Sequence, residues 1–91
     1  MKRERAVAVG QKALIWMAGQ PEFLEVFLAE SGLAPEAIRA RAGEPAFLGF
    51  VLDAVLASDA HVLAFAAEAG LAPEEAARAR ATLGGGEPHW T

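Results

Sequence analysis

A ten-residue segment occurs twice in this chain, and the repeat constrains the fold more than any other feature. Residues 27–36 read FLAESGLAPE and residues 65–74, thirty-eight positions later, read FAAEAGLAPE. The sequence Arg-Ala-Arg-Ala follows each copy, at 39–42 and at 78–81. Glycine is preferred where a helix ends in a left-handed residue, and proline is favoured in the first turn of the next helix. Each copy therefore predicts a helix, a tight corner at Gly32 or Gly70, and a second helix.

Proline, glycine and serine divide the remaining sequence into further helices. Gly19 stops the first helix, Pro45 starts a fourth, and Ser58 is placed to cap a fifth. No segment alternates apolar and polar residues as a strand does. The sequence thus predicts an all-α fold, a compact orthogonal bundle of five to six short helices with two helix-turn-helix units. We expect helices over residues 3–18, 21–31, 35–42, 45–57, 59–69 and 73–83, in a single domain at 1–86 followed by a C-terminal tail at 87–91.

The fourth predicted helix is apolar on nearly all of its sides, and Asp53 is its only charged residue. A helix with this pattern is usually buried, so we expect it to be the hub of the core. If the rest of the chain leaves part of it uncovered, a partner must cover that part. This surplus favours a protein-interaction module, plausibly a homodimer, with Phe47 and Phe50 as contact residues. On the fifth helix, we expect Leu63 on the inner face beside Val62, Phe65 and Ala66.

Composition excludes several classes of function. The chain has 91 residues, which suits one domain, and it has no cysteine, so disulfides and cysteine-ligated metals are excluded. No apolar segment approaches the roughly 20 residues that span a bilayer, and no signal peptide is recognisable. We therefore expect a cytoplasmic protein. The net charge of −4 at pH 7 opposes non-specific binding to nucleic acid.

Candidate catalytic and ligand sites are few. Ser58, Asp59 and His61 resemble a triad, but they fall within one helical turn, where side chains diverge, and Ser58 suits a helix cap better. No histidine has a carboxylate or second histidine at the spacing that would converge on a metal. The glycines at 84–86 lack the strand and helix that flank a phosphate loop. We therefore predict no enzyme activity, no cofactor and no metal, and no small-molecule ligand is evident.

Two groups of residues remain as candidate contacts with a partner. Trp90 follows the glycine run; it either folds back over the core as a plug or inserts into a pocket of another protein. The plug is favoured, because a small core gains most from another large ring. The alternative function is nucleic-acid binding by a helix-turn-helix protein, which the acidic net charge disfavours. It would use basic residues at the N-terminus (Lys2, Arg3 and Arg5) and the two arginine pairs (Arg39 with Arg41, and Arg78 with Arg80).

The order and spacing of several short segments resemble a family of short, all-helical bacterial proteins of unknown function. The resemblance implies a compact helical fold and a bacterial cytoplasmic setting, and it implies no activity, cofactor or catalytic residue. Because the closing Pro-His-Trp belongs to the pattern, it favours an ordered role for Trp90. The segments are ALIWMA at 13–18, PE at 21–22, FL at 27–28, GLAP at 32–35 and 70–73, PAFL at 45–48, VLD at 51–53, LAF at 63–65 and PHW at 88–90.

Overall fold

The computed structural model describes residues 1–84, and all of the regular structure in that range is α-helical. The predicted all-α class is confirmed, and the helices begin and end within one or two residues of their predicted limits. The proposed domain boundary at residue 86 and the tail at 87–91 lie outside the described residues. The helices are α1 (Arg3–Ala18), α2 (Pro21–Ser31), α3 (Pro35–Arg41), α4 (Pro45–Leu56), α5 (Asp59–Ala69) and α6 (Glu74–Leu83).

The centre of the core is a three-helix contact among α1, α4 and α6, which pack most extensively on one another. Both α1 and α6 bury small residues in the core, and Ala6, Ala13 and Ala79 are fully buried. Small side chains let helix axes approach closely, and the larger side chains of α4 fill the space that remains. The many alanine residues therefore allow the three helices to pack closely.

Helix α4 is buried by the chain itself. Phe47, Leu48, Val51, Leu52 and Val55 have no exposed surface, because α1, α5 and α6 all pack against this helix. Phe50, Ala54 and Leu56 of α4 are half-buried, and the exposed large apolar residues of the described chain lie outside α4. The expected role of α4 in the core is correct, and the surplus on which we based a homodimer is covered within the monomer.

The two predicted corners are formed at their glycines, as expected. They differ in the group that accepts a hydrogen bond from the backbone N–H of the residue after the glycine. Gly32 has φ of 72° and Gly70 has φ of 71°, both left-handed. At the second corner the N–H of Leu71 donates to the carbonyl of Ala66 at 2.9 Å. At the first, the N–H of Leu33 donates to the Ser31 hydroxyl at 3.2 Å. The difference follows from the sequence, because the second copy has alanine where the first has Ser31.

Replacing Gly70 by alanine is expected to destabilise the protein by about 1–2 kcal/mol, the cost of a left-handed conformation for a residue with a Cβ. Space is not the cause, because no atom lies within 4 Å of a Cβ built there. Gly43→Ala is the matched control, since Gly43 has equal space and no positive φ. Urea unfolding of both variants measures the difference, and equal stabilities would contradict the argument.

The helices that follow the two copies of the repeat, α3 and α6, occupy different environments. Helix α3 has no buried residue, whereas α6 buries Ala76, Ala79 and Leu83. The end of α3 is tied to α1 by Gln11, whose side-chain Nε2 donates to the carbonyl of Ala42 at 3.3 Å. The repeat therefore gives two similar corners, but α6 has buried core residues whereas α3 contacts the core only through partly buried side chains such as Ile38.

Polar contacts join the start of α1 to α6. The Arg5 guanidinium lies 2.6 Å from the Glu75 carboxylate, whose other oxygen accepts the backbone N–H of Ala72 at 2.9 Å. The Thr82 hydroxyl donates to the carbonyl of Met1 at 3.3 Å. These contacts fix α1 antiparallel to α6. The hydrogen bond from Arg5, and secondly that from Ala72, hold the pKa of Glu75 below its usual range.

Glu75→Gln is expected to reduce the loss of stability on acidification. A carboxyl whose pKa is lowered by folding stabilises the native state above its unfolded pKa, and this contribution disappears as the pH falls through the lower, folded value. The wild type should therefore exceed Glu75→Gln in stability most clearly at neutral pH, with the gap closing below about pH 4. Urea unfolding across this range measures the gap. A gap for Glu75→Gln that stays constant as the pH falls would contradict the prediction.

Candidate binding groove

The aromatic residues near the end of α1 form a cluster around Trp16. Trp16 itself is 8% exposed. Its ring centroid lies 5.8 Å from Phe23, 5.9 Å from His61 and 6.0 Å from Phe65. Edge-to-face contacts at these distances are favourable beyond the area they bury. Trp16 therefore joins α1 to both α2 and α5.

Phe23 and His61 stack on each other at equivalent positions of the two repeats. They are thirty-eight residues apart in sequence, the same spacing as the repeated segments. Their ring centroids are 4.3 Å apart and their planes differ by 20°. Both rings are half-buried, so one part of the stack faces solvent. The stack is therefore a rigid aromatic surface that the sequence places where α2 meets α5.

One depression, which we call the α2 groove, runs along α2 beside this stack. Its volume is about 390 Å³. One wall is formed by α2, including Val26, and the other by the end of α4 and the start of α5, including the small residues Ala54 and Ala57. Small side chains on a wall leave room for another chain to approach the backbone. The groove is lined by Glu22, Phe23, Val26, Phe27, Glu30, Ala54, Ala57, Ser58 and His61.

A second depression, the Trp16 cleft, adjoins the first and has a volume of about 410 Å³. It shares Glu22, Phe23 and His61 with the α2 groove, so the two form one continuous surface with the ring stack between them. Neither lining contains a lysine or an arginine. The cleft is lined by Trp16, Gln20, Pro21, Glu22, Phe23 and His61.

Several large apolar side chains of α1, α2 and α5 are exposed to solvent. Val26, on the wall of the α2 groove, is 53% exposed, and Ile15 on α1 is 73% exposed. Leu63 is 59% exposed, so its predicted place on the inner face of α5 is wrong. The repeat could have predicted this exposure. Leu63 occupies the same position relative to the second copy as Glu25 does to the first, and a glutamate on α2 is expected at the surface.

The residues that resembled a triad have other roles in the structure. The Ser58 hydroxyl accepts the backbone N–H of His61 at 3.4 Å and so caps α5, as predicted. The His61 ring stacks on Phe23 and contacts Trp16 at its edge. Among residues 1–84, no group of three or more histidine, aspartate or glutamate side chains is arranged to hold a metal ion.

Several of the basic residues considered for nucleic-acid contact are engaged with acids. Arg5 pairs with Glu75, as described above. Arg41 lies 3.3 Å from Glu44, and Arg80 lies 2.6 Å from Asp53. Arg80 also donates to the carbonyl of Gly84 at the end of α6. The basic residues Lys2, Arg3, Arg39 and Arg78 are exposed.

The three aromatic residues considered for partner contact fall in different places. Phe47 is fully buried and contacts Phe27, so it is not accessible to a partner. Phe50 is half-buried, with its ring centroid 5.2 Å from that of Phe27. Trp90 lies outside the described residues. Phe23 and His61 were not among the contact residues predicted from the sequence, where His61 was considered only for a triad or a metal site.

Within residues 1–84, no single helix is long and apolar enough to cross a bilayer. Helices α4 and α5 together reach that length and hydropathy, and they are bent by 116° at their junction.

Comparison with known proteins gives one match. A family model described as "Protein of unknown function (DUF3572)" matches residues 3–86. No curated protein and no solved structure matches the chain. The matched range covers all six helices and the segments between them. Because the match extends over nearly the whole sequence, the chain belongs to the DUF3572 family of proteins of unknown function.

Proposed function

We propose that this protein is a non-enzymatic interaction domain, and that it binds a segment of another protein in the α2 groove and the Trp16 cleft. The observation that carries this proposal is the half-exposed stack of Phe23 and His61 between two adjoining depressions. Of the other phenylalanines, Phe47 and Phe65 are fully buried, whereas Phe50 on α4 is half-buried. An apolar concave surface is a usual property of a contact site.

A partner other than a second copy is favoured by charge. The α2 groove carries Glu22 and Glu30 on its α2 wall, so two copies meeting through this groove would bring like charges together. The apolar surplus that suggested a homodimer is buried within the monomer. Sedimentation of the protein at high concentration tests this point, and we expect a monomer.

Nucleic-acid binding is the second candidate, and its support is the set of exposed basic side chains at Lys2, Arg3, Arg39 and Arg78. Against it, three of the arginines considered are paired with carboxylates, and the net charge is −4. Phosphate binding depends on unneutralised cations. Retention on DNA or RNA that weakens steeply with salt would favour this candidate over the groove.

The decisive experiment is selection of peptides from a displayed random library on the immobilised protein, followed by binding to two charge variants. Val26→Glu places a charge on the wall of the α2 groove and should abolish binding of the selected peptides. Leu63→Glu is the matched control, because Leu63 is equally exposed and lies outside both depressions. Thermal unfolding confirms that both variants fold. If no peptide is enriched, or if both variants bind as the wild type does, the proposal fails.

A further inference from the structure

The α2 groove has the dimensions of a site for a short helix. Its α2 wall consists of Glu22, Val26 and Glu30, which are four residues apart and therefore lie along one face of α2. At about 1.5 Å per residue, the two glutamates are about 12 Å apart along the helix axis. This length corresponds to about two turns of a helix lying alongside. Ala54 and Ala57 on the opposite wall allow such a helix to approach α4 closely.

The described fold favours a helical ligand over an added strand. Helical ligands present apolar side chains at positions i, i+3 or i+4, and i+7, and these enter grooves between helices. A peptide that binds by strand addition needs the edge of a sheet. Residues 1–84 contain no strand, so the described domain offers no such edge.

The negative charge of the helices around the groove favours a ligand with basic residues on either side of its apolar anchors. Helices α2, α4 and α5, which form the groove, contain no lysine or arginine, and Glu22 and Glu30 stand at its two ends. Asp53 of α4 is paired with Arg80, which lies outside the lining. The field at the groove is therefore negative, and it favours a ligand with basic residues about two turns apart.

We infer that the ligand of the α2 groove is a short amphipathic helix of another protein, with apolar anchors on one face and lysine or arginine residues flanking them. This inference rests on the proposed function, since it names the partner of the same site. The residues of this chain after α6, GGEPHWT at 85–91, contain no lysine or arginine. The charge argument therefore favours a separate basic helix over this segment as the occupant.

The test uses three labelled peptides of about fourteen residues, long enough to form three turns of helix. All three carry leucine at i, i+3 and i+7, and they differ only in having lysine, glutamine or glutamate at two flanking positions two turns apart. Fluorescence polarisation against the full chain measures their affinities. We expect the lysine peptide to bind about three- to ten-fold more tightly than the glutamine peptide, as two exposed charge pairs would give, and the glutamate peptide to bind most weakly. The preference should shrink as salt is added.

Protein variants separate the charge argument from the groove itself. Glu22→Gln combined with Glu30→Gln should remove the preference for lysine over glutamine. Glu25→Gln is the matched control, because Glu25 is exposed on α2 and does not line the groove. Val26→Glu should lower the affinity of the lysine and glutamine peptides alike.

Two results would overturn the inference in distinguishable ways. If the lysine and glutamine peptides bind equally and both are lost in Val26→Glu, the basic flanks are refuted while the proposed function stands. If none of the peptides binds the wild type and library selection also enriches none, the proposed function fails with the inference. A third result would also overturn the inference. If all three peptides bind Trp90→Ala and none binds the wild type, the groove is occupied by the chain's own C-terminal segment.

Discussion

Replacing Phe47 by alanine is expected to lower the free energy of unfolding by about 3–5 kcal/mol, the usual cost of removing a large buried ring. Phe47 has no exposed surface, and its ring contacts that of Phe27 at 6.1 Å between centroids. It lies in the first turn of α4, where the helix enters the core. A domain of this size has a total stability on the order of 5–10 kcal/mol, so this change removes a large part of it.

Urea unfolding followed by circular dichroism measures this loss. Phe50→Ala is the matched control, because Phe50 is also on α4 and also contacts Phe27, but it is only half-buried. Since part of the Phe50 ring is already in water, its removal should cost clearly less. Equal losses at the two positions would mean that Phe47 is not the better-packed residue. Where Phe47→Ala does not fold, Phe47→Leu preserves most of the volume and gives a smaller, measurable loss.

Gly10→Ala is expected to destabilise the protein by about 1–3 kcal/mol through overpacking, although alanine is intrinsically the better helix residue by about 1 kcal/mol. A Cβ at residue 10 would lie 2.8 Å from the Cβ of Leu48. Because the Cβ of Leu48 is fixed to the backbone of α4, the clash can be relieved only by moving α1 away from α4. The loss should therefore appear despite the gain in helix propensity.

The matched control for Gly10→Ala is the same substitution at Gly49, also within a helix. There the nearest atom to a new Cβ is in the guanidinium of Arg80, at 3.2 Å. The end of a long side chain moves easily, so the gain in helix propensity should prevail and Gly49→Ala should be neutral or slightly stabilising. Thermal unfolding of the two variants gives the comparison. A stabilised Gly10→Ala would show that α1 and α4 are less tightly packed than the structure indicates.

The helices and corners were predictable from the sequence because their signals are local. Each glycine, proline and capping serine acts on residues within one turn, so Gly32, Gly70 and Ser58 have the conformations or contacts that their positions predict. The hydrophobicity of α4 also predicted its burial. It could not show what covers the helix, since that depends on the packing of α1, α5 and α6 in three dimensions.

The binding groove was only partly accessible to sequence reasoning. The spacing of the repeat could have revealed that Phe23 and His61 are equivalent and that Leu63 has the register of the exposed Glu25. The stacking of the two rings depends on how α2 and α5 meet, and the pairing of Arg80 with Asp53 joins residues 27 positions apart. Such contacts follow from tertiary packing, which no local pattern specifies.

The antiparallel pairing of α1 with α6 has a consequence for synthesis on the ribosome. Helix α1 leaves the ribosome before α6, so the face of α1 that packs on α6 stays uncovered until α6, with its buried residues Ala76, Ala79 and Leu83, has also emerged. Until then, the apolar faces of α1 and α4 stay accessible to chaperones and proteases. We therefore expect ribosome-bound chains that end before residue 74 to be degraded rapidly by added protease, and chains in which α6 has cleared the exit tunnel to become resistant in a single step.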